Sequence, residues 1–405
     1  MKPIVRAGRM KPVHSDIRGP LFVEAMKRQK QGIDILKLNT GNPATFGFGL
    51  PDSIKNALME HMQDGVGYCD FKGMPQARQA ICDYETSKGI KGITPDDVFI
   101  GNGVSEVVSF ALTPLLNDGD EVLVPSPSYS LWGNSVYLED GKPVFYTCDE
   151  KANWYPDIQD IRSKITDKTK AIVIINPNNP TGVLYPKEIL LEIIQVAREF
   201  GLLIFADEIY DRLVMDGKQH ISLASLTEDV PVITLNGLSK SHCLCGYRCG
   251  WMVISGPREL TEDYRQGIIQ LTSLRLCANT MAQIVIPTAL DDMETPASMV
   301  RPGGRIYEQR EATVRELEKI DGLSFVKNDA AFYVFPKLDV KKFNITNDKQ
   351  FAHDLLDATN ILLVPGSGFD WKDPDHFRIV MLPQADILSD AIRRMGTFLD
   401  GYKQK

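Results

Sequence analysis

The chain lacks the features that would place it in a membrane or on nucleic acid. No run of about 18 apolar residues occurs, so no membrane-spanning helix is expected. The first ten residues contain no apolar core of the kind that a secretion signal needs, and we therefore expect a cytoplasmic protein. The formal net charge of −8 argues against nucleic acid as the main partner and mainly favours solubility.

Cysteine is also scarce, and its number is odd. Seven cysteines in 405 residues predict reduced thiols rather than a disulfide framework. Cys243, Cys245 and Cys249 lie close together in sequence, but no second pair of ligands lies nearby, so no metal site is expected. Low-complexity tracts and obvious repeats are absent. The remaining composition, 43% hydrophobic and 24% charged, is typical of a globular protein large enough for two domains.

The middle of the chain alternates between predicted strands and predicted helices. Several strands are continuous apolar runs, as at 171–175 and 202–206, which is typical of strands buried on both faces of a parallel sheet. Helical patterns at 105–116 and 186–200 lie between strands. The alternation predicts an α/β fold with a mostly parallel, seven-stranded central sheet. The seven predicted strands are 98–101, 121–125, 143–147, 171–176, 202–207, 232–235 and 250–254.

The last third of the chain has a different pattern. A helical stretch at 304–320 follows the breaker Arg-Pro-Gly-Gly, and strand patterns follow at 332–335, 361–364 and 377–381. These features indicate a smaller α+β domain. We expect residues 46–295 to form a large domain, and residues 1–45 together with 296–405 to form the small one.

Chemically useful side chains follow the predicted strands at the points where the strands end. Asn179, Tyr210 and Lys240 each follow a strand within a few residues, and Asp207 ends one. Gly101-Asn102-Gly103-Val104-Ser105 leads from another strand into a helix. In an open parallel sheet, functional groups gather outside the carboxyl ends of the strands. One crevice can therefore receive an amide, a phenol, an amine, a carboxylate and free backbone N–H groups.

Each of these residues also has a plainer interpretation. Asn-Pro-x-Asn-Pro is usually a turn, an aspartate at a strand end often caps a helix, and a loop lysine is usually solvated. Gly-x-Gly before a helix could begin a dinucleotide fingerprint. The third glycine is missing, however, and no acidic residue ends the next strand, which argues against a nicotinamide-dependent oxidoreductase. The joint occurrence of these groups at successive strand ends favours one shared catalytic site.

The segment around Lys240 suits a lysine that forms a Schiff base. It lies among small residues just past a strand and eight residues before Arg248, and both desolvation and a nearby cation lower the pKa of a lysine. Gly237-Leu238-Ser239-Lys240 with Arg248 and Gly250 resembles the signature of the fold-type I, class I aminotransferases that use pyridoxal phosphate. The segments 176–182, 206–210 and 377–379 also resemble that family, in its order. The resemblance covers nearly the whole chain, with mild departures at Cys249 and Ala330.

The resemblance implies pyridoxal phosphate as the cofactor and a role for each matching residue. Lys240 would form the Schiff base and later move a proton, while Asp207 would pair with the pyridinium nitrogen. Asn179 and Tyr210 would hydrogen-bond the phenolic oxygen of the ring, and Tyr129 would stack on the ring.

The phosphate would lie at a helix N-terminus, where free N–H groups and the helix dipole favour an anion. Its ligands would be the backbone of Gly103, Val104 and Ser105, the hydroxyl of Ser239 and the guanidinium of Arg248. Tyr68 matches the tyrosine that reaches the cofactor phosphate of the neighbouring subunit, which implies a homodimer with shared sites.

The resemblance also implies how the substrate is held. Arg378 would clamp the α-carboxylate with its two-pronged guanidinium, and Gly41 would bring backbone close to the substrate. The segments 14–20, 67–73 and 275–279 look like those of the bacterial glutamate–pyruvate (alanine) aminotransferases. This implies transfer between alanine and 2-oxoglutarate, with Arg18 as a candidate for the second carboxylate of glutamate or else a surface or interface arginine.

Other functions share the same cofactor residues. An aminotransferase of aspartate, aromatic or branched amino acids would keep them all, as would a pyridoxal-phosphate-dependent C–S lyase or decarboxylase on the same fold. A non-catalytic regulator that binds the cofactor would normally carry a DNA-binding extension, and no basic helix-turn-helix segment is present.

Overall fold

The computed structural model describes residues 2–405. In that range the chain forms sixteen α-helices and fifteen β-strands, and short 3-10 helices connect several of them. The helices are α1 Pro20–Lys30, α2 Asp52–His61, α3 Pro75–Ser87, α4 Val104–Leu112, α5 Leu131–Leu138, α6 Ile158–Lys164, α7 Lys187–Phe200, α8 Leu238–Ser241, α9 Arg258–Arg275, α10 Thr280–Ile284, α11 Ile286–Asp291, α12 Glu294–Val300, α13 Arg305–Leu317, α14 Val340–Phe343, α15 Asp348–Thr359 and α16 Ala385–Asp400. The strands are β1 Leu36–Lys37, β2 Val98–Asn102, β3 Glu121–Ser126, β4 Lys142–Asp149, β5 Tyr155–Pro156, β6 Thr169–Ile175, β7 Leu203–Asp207, β8 Val232–Gly237, β9 Cys249–Ser255, β10 Leu323–Ser324, β11 Tyr333–Val334, β12 Lys337–Leu338, β13 Ile361–Leu362, β14 Val364–Pro365 and β15 Phe377–Val380.

The central sheet has eight strands in the order β2-β9-β8-β7-β6-β3-β4-β5. The five strands from β8 to β4 run parallel, and β9 runs antiparallel to both of its neighbours. The predicted α/β fold and all seven predicted strands are confirmed, but the strand number is wrong by one. The eighth strand, β5, has two residues, one of them a proline, and pairs antiparallel with Cys148 and Asp149 at the edge of the sheet. A strand so short has no periodicity for a sequence pattern to show.

Both faces of this sheet are buried, as the apolar runs predicted. Along β3, Leu123 packs on one side with α6 and α7, while Val122 and Val124 pack on the other side with α4, α5 and α9. The β2–β9 end has its own apolar cluster with α2, α3, α10 and α11. Because helices cover both faces, chemical groups can be exposed only at the strand ends and the loops that follow them.

The last third of the chain builds a second core. Helices α13, α15 and α16 pack around short strands, and the cluster includes Leu317, Leu355, Phe377 and Met395. Three small sheets accompany it: β11-β15-β14, β10-β12, and the parallel pair β1-β13. The pairing of β1 with β13 joins residues 36–37 to residues 361–362. This supports the predicted grouping of residues 1–45 with 296–405, although the domain boundaries stay a prediction.

No helix among residues 2–405 has both the length and the apolar character needed to cross a membrane.

Candidate active site

Lys240 lies on the short helix α8, directly beyond the carboxyl end of β8. Its amine Nζ donates a hydrogen bond to the backbone oxygen of Gly41 at 3.0 Å and lies 5.8 Å from the centre of the Phe332 ring. A side chain at position 41 would clash, because a Cβ there would lie 2.9 Å from Cε2 of Phe332. The glycine therefore allows the N-terminal segment to pack against Phe332, where its backbone oxygen accepts the hydrogen bond of the lysine.

Asp207 ends the neighbouring strand β7 and is buried, with 5% of its surface exposed. Its carboxylate accepts hydrogen bonds from Nε1 of Trp132 at 3.1 Å and from the N–H of Ile209 at 3.4 Å. Burial raises the pKa of Asp207 to about 6, although the Trp132 hydrogen bond and the positive charge of Lys240 act in the opposite direction. No basic side chain forms an ion pair with Asp207 in residues 2–405. The carboxylate is therefore suited to a cationic group that the chain itself does not supply.

Arg378, on β15, closes the other side of the crevice and is almost completely buried. Its Nη1 donates to Oδ1 of Asn179 at 3.0 Å, and its Nη2 donates to the backbone oxygen of Asn39. The guanidinium lies 4.6 Å from the ring centres of both Tyr333 and Phe369. Its Nε has no partner, and within the described chain no carboxylate faces it. A buried guanidinium without an anion is the counterpart of Asp207 and is suited to a carboxylate ligand.

Tyr210 points its phenol to the same crevice. Its hydroxyl exchanges a hydrogen bond with the hydroxyl of Tyr333 at 2.8 Å. Burial raises the pKa of Tyr210 well above its usual value, so the phenol stays protonated at neutral pH and remains a hydrogen-bond donor.

A third group of residues forms at the N-terminus of α4. Gly103 precedes the helix with φ of +85°, a conformation that favours glycine. The guanidinium of Arg248 donates to Oγ of Ser105 at 3.2 Å and to the backbone oxygens of Asn102 and Cys245 at 3.4 and 3.0 Å. Arg248 has no acidic partner in the part of the chain that the structure describes. The cation, the hydroxyl and the first turn of the helix together make a site for an anion.

A buried charge network lies behind the strand ends. The ammonium of Lys88 contacts Glu85 at 2.8 Å, Glu208 at 2.7 Å and Asp211 at 3.2 Å. Asp211 also accepts a hydrogen bond from Nδ2 of Asn236 at 2.7 Å. Because Glu208 follows Asp207 and Asn236 lies in β8, the network fixes the ends of the two strands that carry Asp207 and lead to the lysine.

The remaining predicted residues lie nearer the edge of the site or away from it. Ser239 is buried on α8 beside Lys240, and Tyr129 is about one-third exposed, close enough to Arg378 to affect its pKa. Tyr68 is 84% exposed, and its hydroxyl forms no hydrogen bond within residues 2–405. Arg18 is exposed and forms no ion pair within residues 2–405, although it follows Ile17, whose carbonyl oxygen accepts a hydrogen bond from Asn39.

Three residues in contact with the predicted set were missed by the sequence interpretation. Trp132 binds Asp207, Tyr333 lies between Tyr210 and Arg378, and the backbone of Asn39 binds Arg378. Tyr333 lies within the predicted strand 332–335, and Asn39 lies two residues before Gly41, but neither position alone indicates a contact with a distant arginine.

Comparison with known proteins identifies the family of the chain. The profile of the family described as aminotransferase class I and II matches residues 33–392. The chain belongs to this family, whose members are pyridoxal-phosphate-dependent enzymes. It is 50% identical over 404 residues to the glutamate-pyruvate aminotransferase AlaA of Haemophilus influenzae, and the alignment covers all of both chains.

Solved structures of other aminotransferases have the same fold. An aminotransferase crystal structure from Escherichia coli superposes with a TM-score of 0.98 at 47% identity, covering all of both chains. The alanine aminotransferase from Pyrococcus furiosus superposes with a TM-score of 0.93 at 40% identity, covering 98% of this chain and all of the other. The predicted family and fold class are thus confirmed.

The residues present fit the cofactor that the family implies. A pyridinium nitrogen would supply the cation that buried Asp207 lacks, and a phosphate would supply the anion that Arg248 lacks. An aldehyde carbon needs an amine nearby, and Lys240 is the amine beside this crevice. Gly103, at φ +85°, leaves room for the guanidinium of Arg248. A Cβ at this position would lie 2.8 Å from Cζ of Arg248 and 3.3 Å from its Nη1.

Proposed function

We propose that this enzyme uses pyridoxal phosphate to move an amino group between alanine and 2-oxoglutarate, giving pyruvate and glutamate in two half-reactions. The observation that supports this chemistry is that two buried charges near Lys240 have no ion-pair partner in residues 2–405. Asp207 can bind a cation, and Arg378 can bind a carboxylate. The choice of alanine is supported by the full-length similarity to relatives named for glutamate–pyruvate and alanine transfer.

The cofactor would be held by groups at three points. Asp207 would keep a proton on the ring nitrogen, and Tyr210 and Asn179 would donate to the phenolic oxygen. Tyr129 would cover the ring. The phosphate would bind the backbone of Gly103, Val104 and Ser105, the hydroxyl of Ser239 and the guanidinium of Arg248. When bound, pyridoxal phosphate supplies an aldehyde for the amino group and a cationic ring that stabilises negative charge at the reacting carbon.

The chain's own residues then bind the substrate and move its proton. Arg378 would hold the α-carboxylate with two parallel hydrogen bonds and so fix the direction of the Cα–H bond. The backbone of Gly41 would line the other side of the substrate. The amine of Lys240 would take the proton from the substrate Cα, hold it and later give it back, acting as general base and then as general acid.

Arg18 is the candidate for the second carboxylate of glutamate. It is exposed and has no acidic partner in residues 2–405, so it is free to bind an anion. Arg18→Ala should impair the glutamate half-reaction and spare the alanine half-reaction. Arg9→Ala is a matched control, because Arg9 is an exposed N-terminal arginine already paired with Asp140. Equal impairment of both half-reactions by Arg18→Ala would refute this role.

The homodimer with shared sites and the cytoplasmic location are also proposals. The exposed ring of Tyr68 supports the first, since a tyrosine assigned to the cofactor of the other subunit should point away from its own site. On this basis the partner subunit's Tyr68 would bind the cofactor phosphate.

The substrate proposal is tested with purified protein and a panel of amino acids, each with 2-oxoglutarate or pyruvate as acceptor, while the visible spectrum is followed. We expect alanine and glutamate to react best. A good rate with aspartate, aromatic or branched amino acids and none with alanine would refute the alanine assignment but not the aminotransferase chemistry. Pyruvate release from a cysteine conjugate without an acceptor would favour the C–S lyase instead.

A further inference from the structure

We infer that His14 is a positioning residue that holds the segment 14–18 across the carboxylate-binding side of the active site. The inference rests on the proposed role of Arg378 as the substrate clamp. His14 belongs to an ion-pair cluster that has no part in the proposed mechanism.

His14 bridges two carboxylates. Its Nε2 lies 3.0 Å from Oδ1 of Asp370, and its Nδ1 lies 3.4 Å from Oδ2 of Asp16. The other oxygen of Asp16 lies 3.0 Å from Nζ of Lys349, on α15. Neutral imidazole has one N–H and can donate to one carboxylate only, whereas the imidazolium ion donates to both. The ring is hydrogen-bonded to Asp370 and close to an oxygen of Asp16 that has no hydrogen-bond partner, and two carboxylates so placed favour the protonated ring.

The backbone of His14 forms two hydrogen bonds with one asparagine side chain. Its N–H donates to Oδ1 of Asn134 at 3.1 Å, and its carbonyl oxygen accepts from Nδ2 of the same asparagine at 2.6 Å. Asn134 lies on α5, which packs on the central sheet. Asp16 packs on Gly368, where a Cβ would come within 2.8 Å of the Asp16 Cβ. The segment is thus attached both to the central-sheet part of the chain and to the loop around Gly368.

Two paths lead from this segment to Arg378. The carbonyl oxygen of Ile17 accepts a hydrogen bond from Nδ2 of Asn39 at 2.9 Å, and the backbone oxygen of Asn39 accepts one from Arg378. On the second path, Asp370 follows Phe369, whose ring lies 4.6 Å from the Arg378 guanidinium. Releasing His14 would loosen both the backbone and the ring that orient the guanidinium.

The charges around His14 keep it protonated at neutral pH. The carboxylates of Asp16 and Asp370 raise the pKa of His14 to about 9, against the opposing effect of burial. The other titratable groups that face this cluster are Lys349 beside Asp16 and Tyr137 of α5 beside Asp370. A histidine whose pKa is raised in the folded state stabilises that state fully below about 6.5. That stabilisation is lost as the pH rises through about 9.

The test uses the holoenzyme with His14→Gln and Asp370→Asn. His353→Gln is the control, because His353 is another partly exposed histidine between two carboxylates, Glu24 and Asp357, and lies outside the site. At pH 7.5 we expect the KM for the reacting amino acid and oxoacid to rise about fivefold in both variants, with kcat within about twofold, the size expected for a partly exposed ion pair. The wild-type KM should rise above about pH 9, and the His14→Gln KM should not follow it.

Hydrogen exchange of the backbone amides of residues 14–18, taken relative to intrinsic rates, gives a readout without substrate. Protection should fall about fivefold in both variants, and in the wild type between pH 7.5 and 10, but not in His353→Gln. Unchanged protection would overturn the positioning role of His14, as would faster exchange with an unchanged KM. If alanine does not react, but hydrogen exchange and the KM of the true substrate change as expected, the alanine assignment is refuted. The positioning role of His14 is then still supported.

Discussion

Asp207→Asn should make the protein without cofactor more stable and make the loaded enzyme nearly inactive. Asparagine has almost the same shape as aspartate, and its one side-chain oxygen can take the place of Oδ2 and accept the hydrogen bond of Trp132 at 3.1 Å. Its amide nitrogen then takes the place of Oδ1, so the longer hydrogen bond from the N–H of Ile209, at 3.4 Å, is lost. The substitution removes a negative charge that is buried with no cationic partner in residues 2–405. It therefore separates what this residue does for folding from what it does for chemistry.

The size of the stability effect follows from the pKa. Burial raises the pKa of Asp207 from 3.8 to about 6. That difference corresponds to about 3 kcal/mol of unfavourable free energy for the ionised, buried carboxylate at neutral pH. Because the folded pKa is the higher one, the protonated form favours folding below about pH 4, and that advantage is lost as the pH rises through about 6. The lost hydrogen bond of Ile209 costs about 1 kcal/mol, so the gain from asparagine should be about 2 kcal/mol at pH 7.5 and about 0.5 kcal/mol at pH 5.

Denaturant unfolding of the cofactor-free protein and its variant at pH 5 and pH 7.5 measures this difference. In the same variant with cofactor, kcat should fall about 10²- to 10³-fold, since a preorganised charge at the ring nitrogen is lost. Asp211→Asn is the contrasting variant: that carboxylate is also buried but is paired with Lys88, so its loss should destabilise the protein. The reasoning would be refuted if Asp207→Asn were no more stable than the wild type at pH 7.5. It would also be refuted if the gain in stability did not shrink at pH 5.

Three further predictions concern the proposed roles. Lys240→Ala should retain pyridoxal phosphate but lose transamination almost completely, and borohydride should fix the cofactor of the wild type on the peptide that contains Lys240; labelling of another lysine would contradict the assignment. Arg378→Ala should lower kcat/KM in both half-reactions by about 10²-fold or more, and Arg378→Lys should restore little, because an ammonium cannot form the two parallel hydrogen bonds; a change in one half-reaction alone would point to a different clamp. Tyr68→Phe should weaken cofactor retention, and mixing Lys240→Ala with Tyr68→Ala protein should restore activity in hybrid dimers; no recovery after verified subunit exchange would exclude sharing through Tyr68.

The sheet and its strand ends could be predicted from the sequence because their signals are local. Apolar runs such as 171–175 define buried strands, and Asp207 and Lys240 follow such runs directly. The short strands of the last third gave only approximate bounds, since two-residue strands such as β13 and β14 depend on pairing with partners elsewhere in the chain. Strand β5 was missed for the same reason.

The environment of the site residues could not be predicted, because it depends on contacts between distant segments. Arg378 was recognised by its motif, but its contacts come from separate parts of the chain: Asn39, Asn179, Tyr333 and Phe369. The His14 cluster likewise joins residues 14–16 to residues 349 and 370. No pattern within one segment carries information of this kind.

Asp207 and Arg378 together explain why the site is built for a ligand of mixed charge. They carry opposite charges and are both buried, yet they do not pair with each other in residues 2–405. Folding alone would favour either an ion pair or apolar side chains at these positions, because a buried charge without a partner is costly. A cofactor with a cationic ring nitrogen and a substrate with a carboxylate would satisfy the two charges separately, and each would do so at the point where the reaction needs it. The unpaired charge of Asp207 destabilises the cofactor-free protein, and Asp207→Asn should remove that cost. The same charge would attract the ring nitrogen of the cofactor and so contribute to its binding and activation.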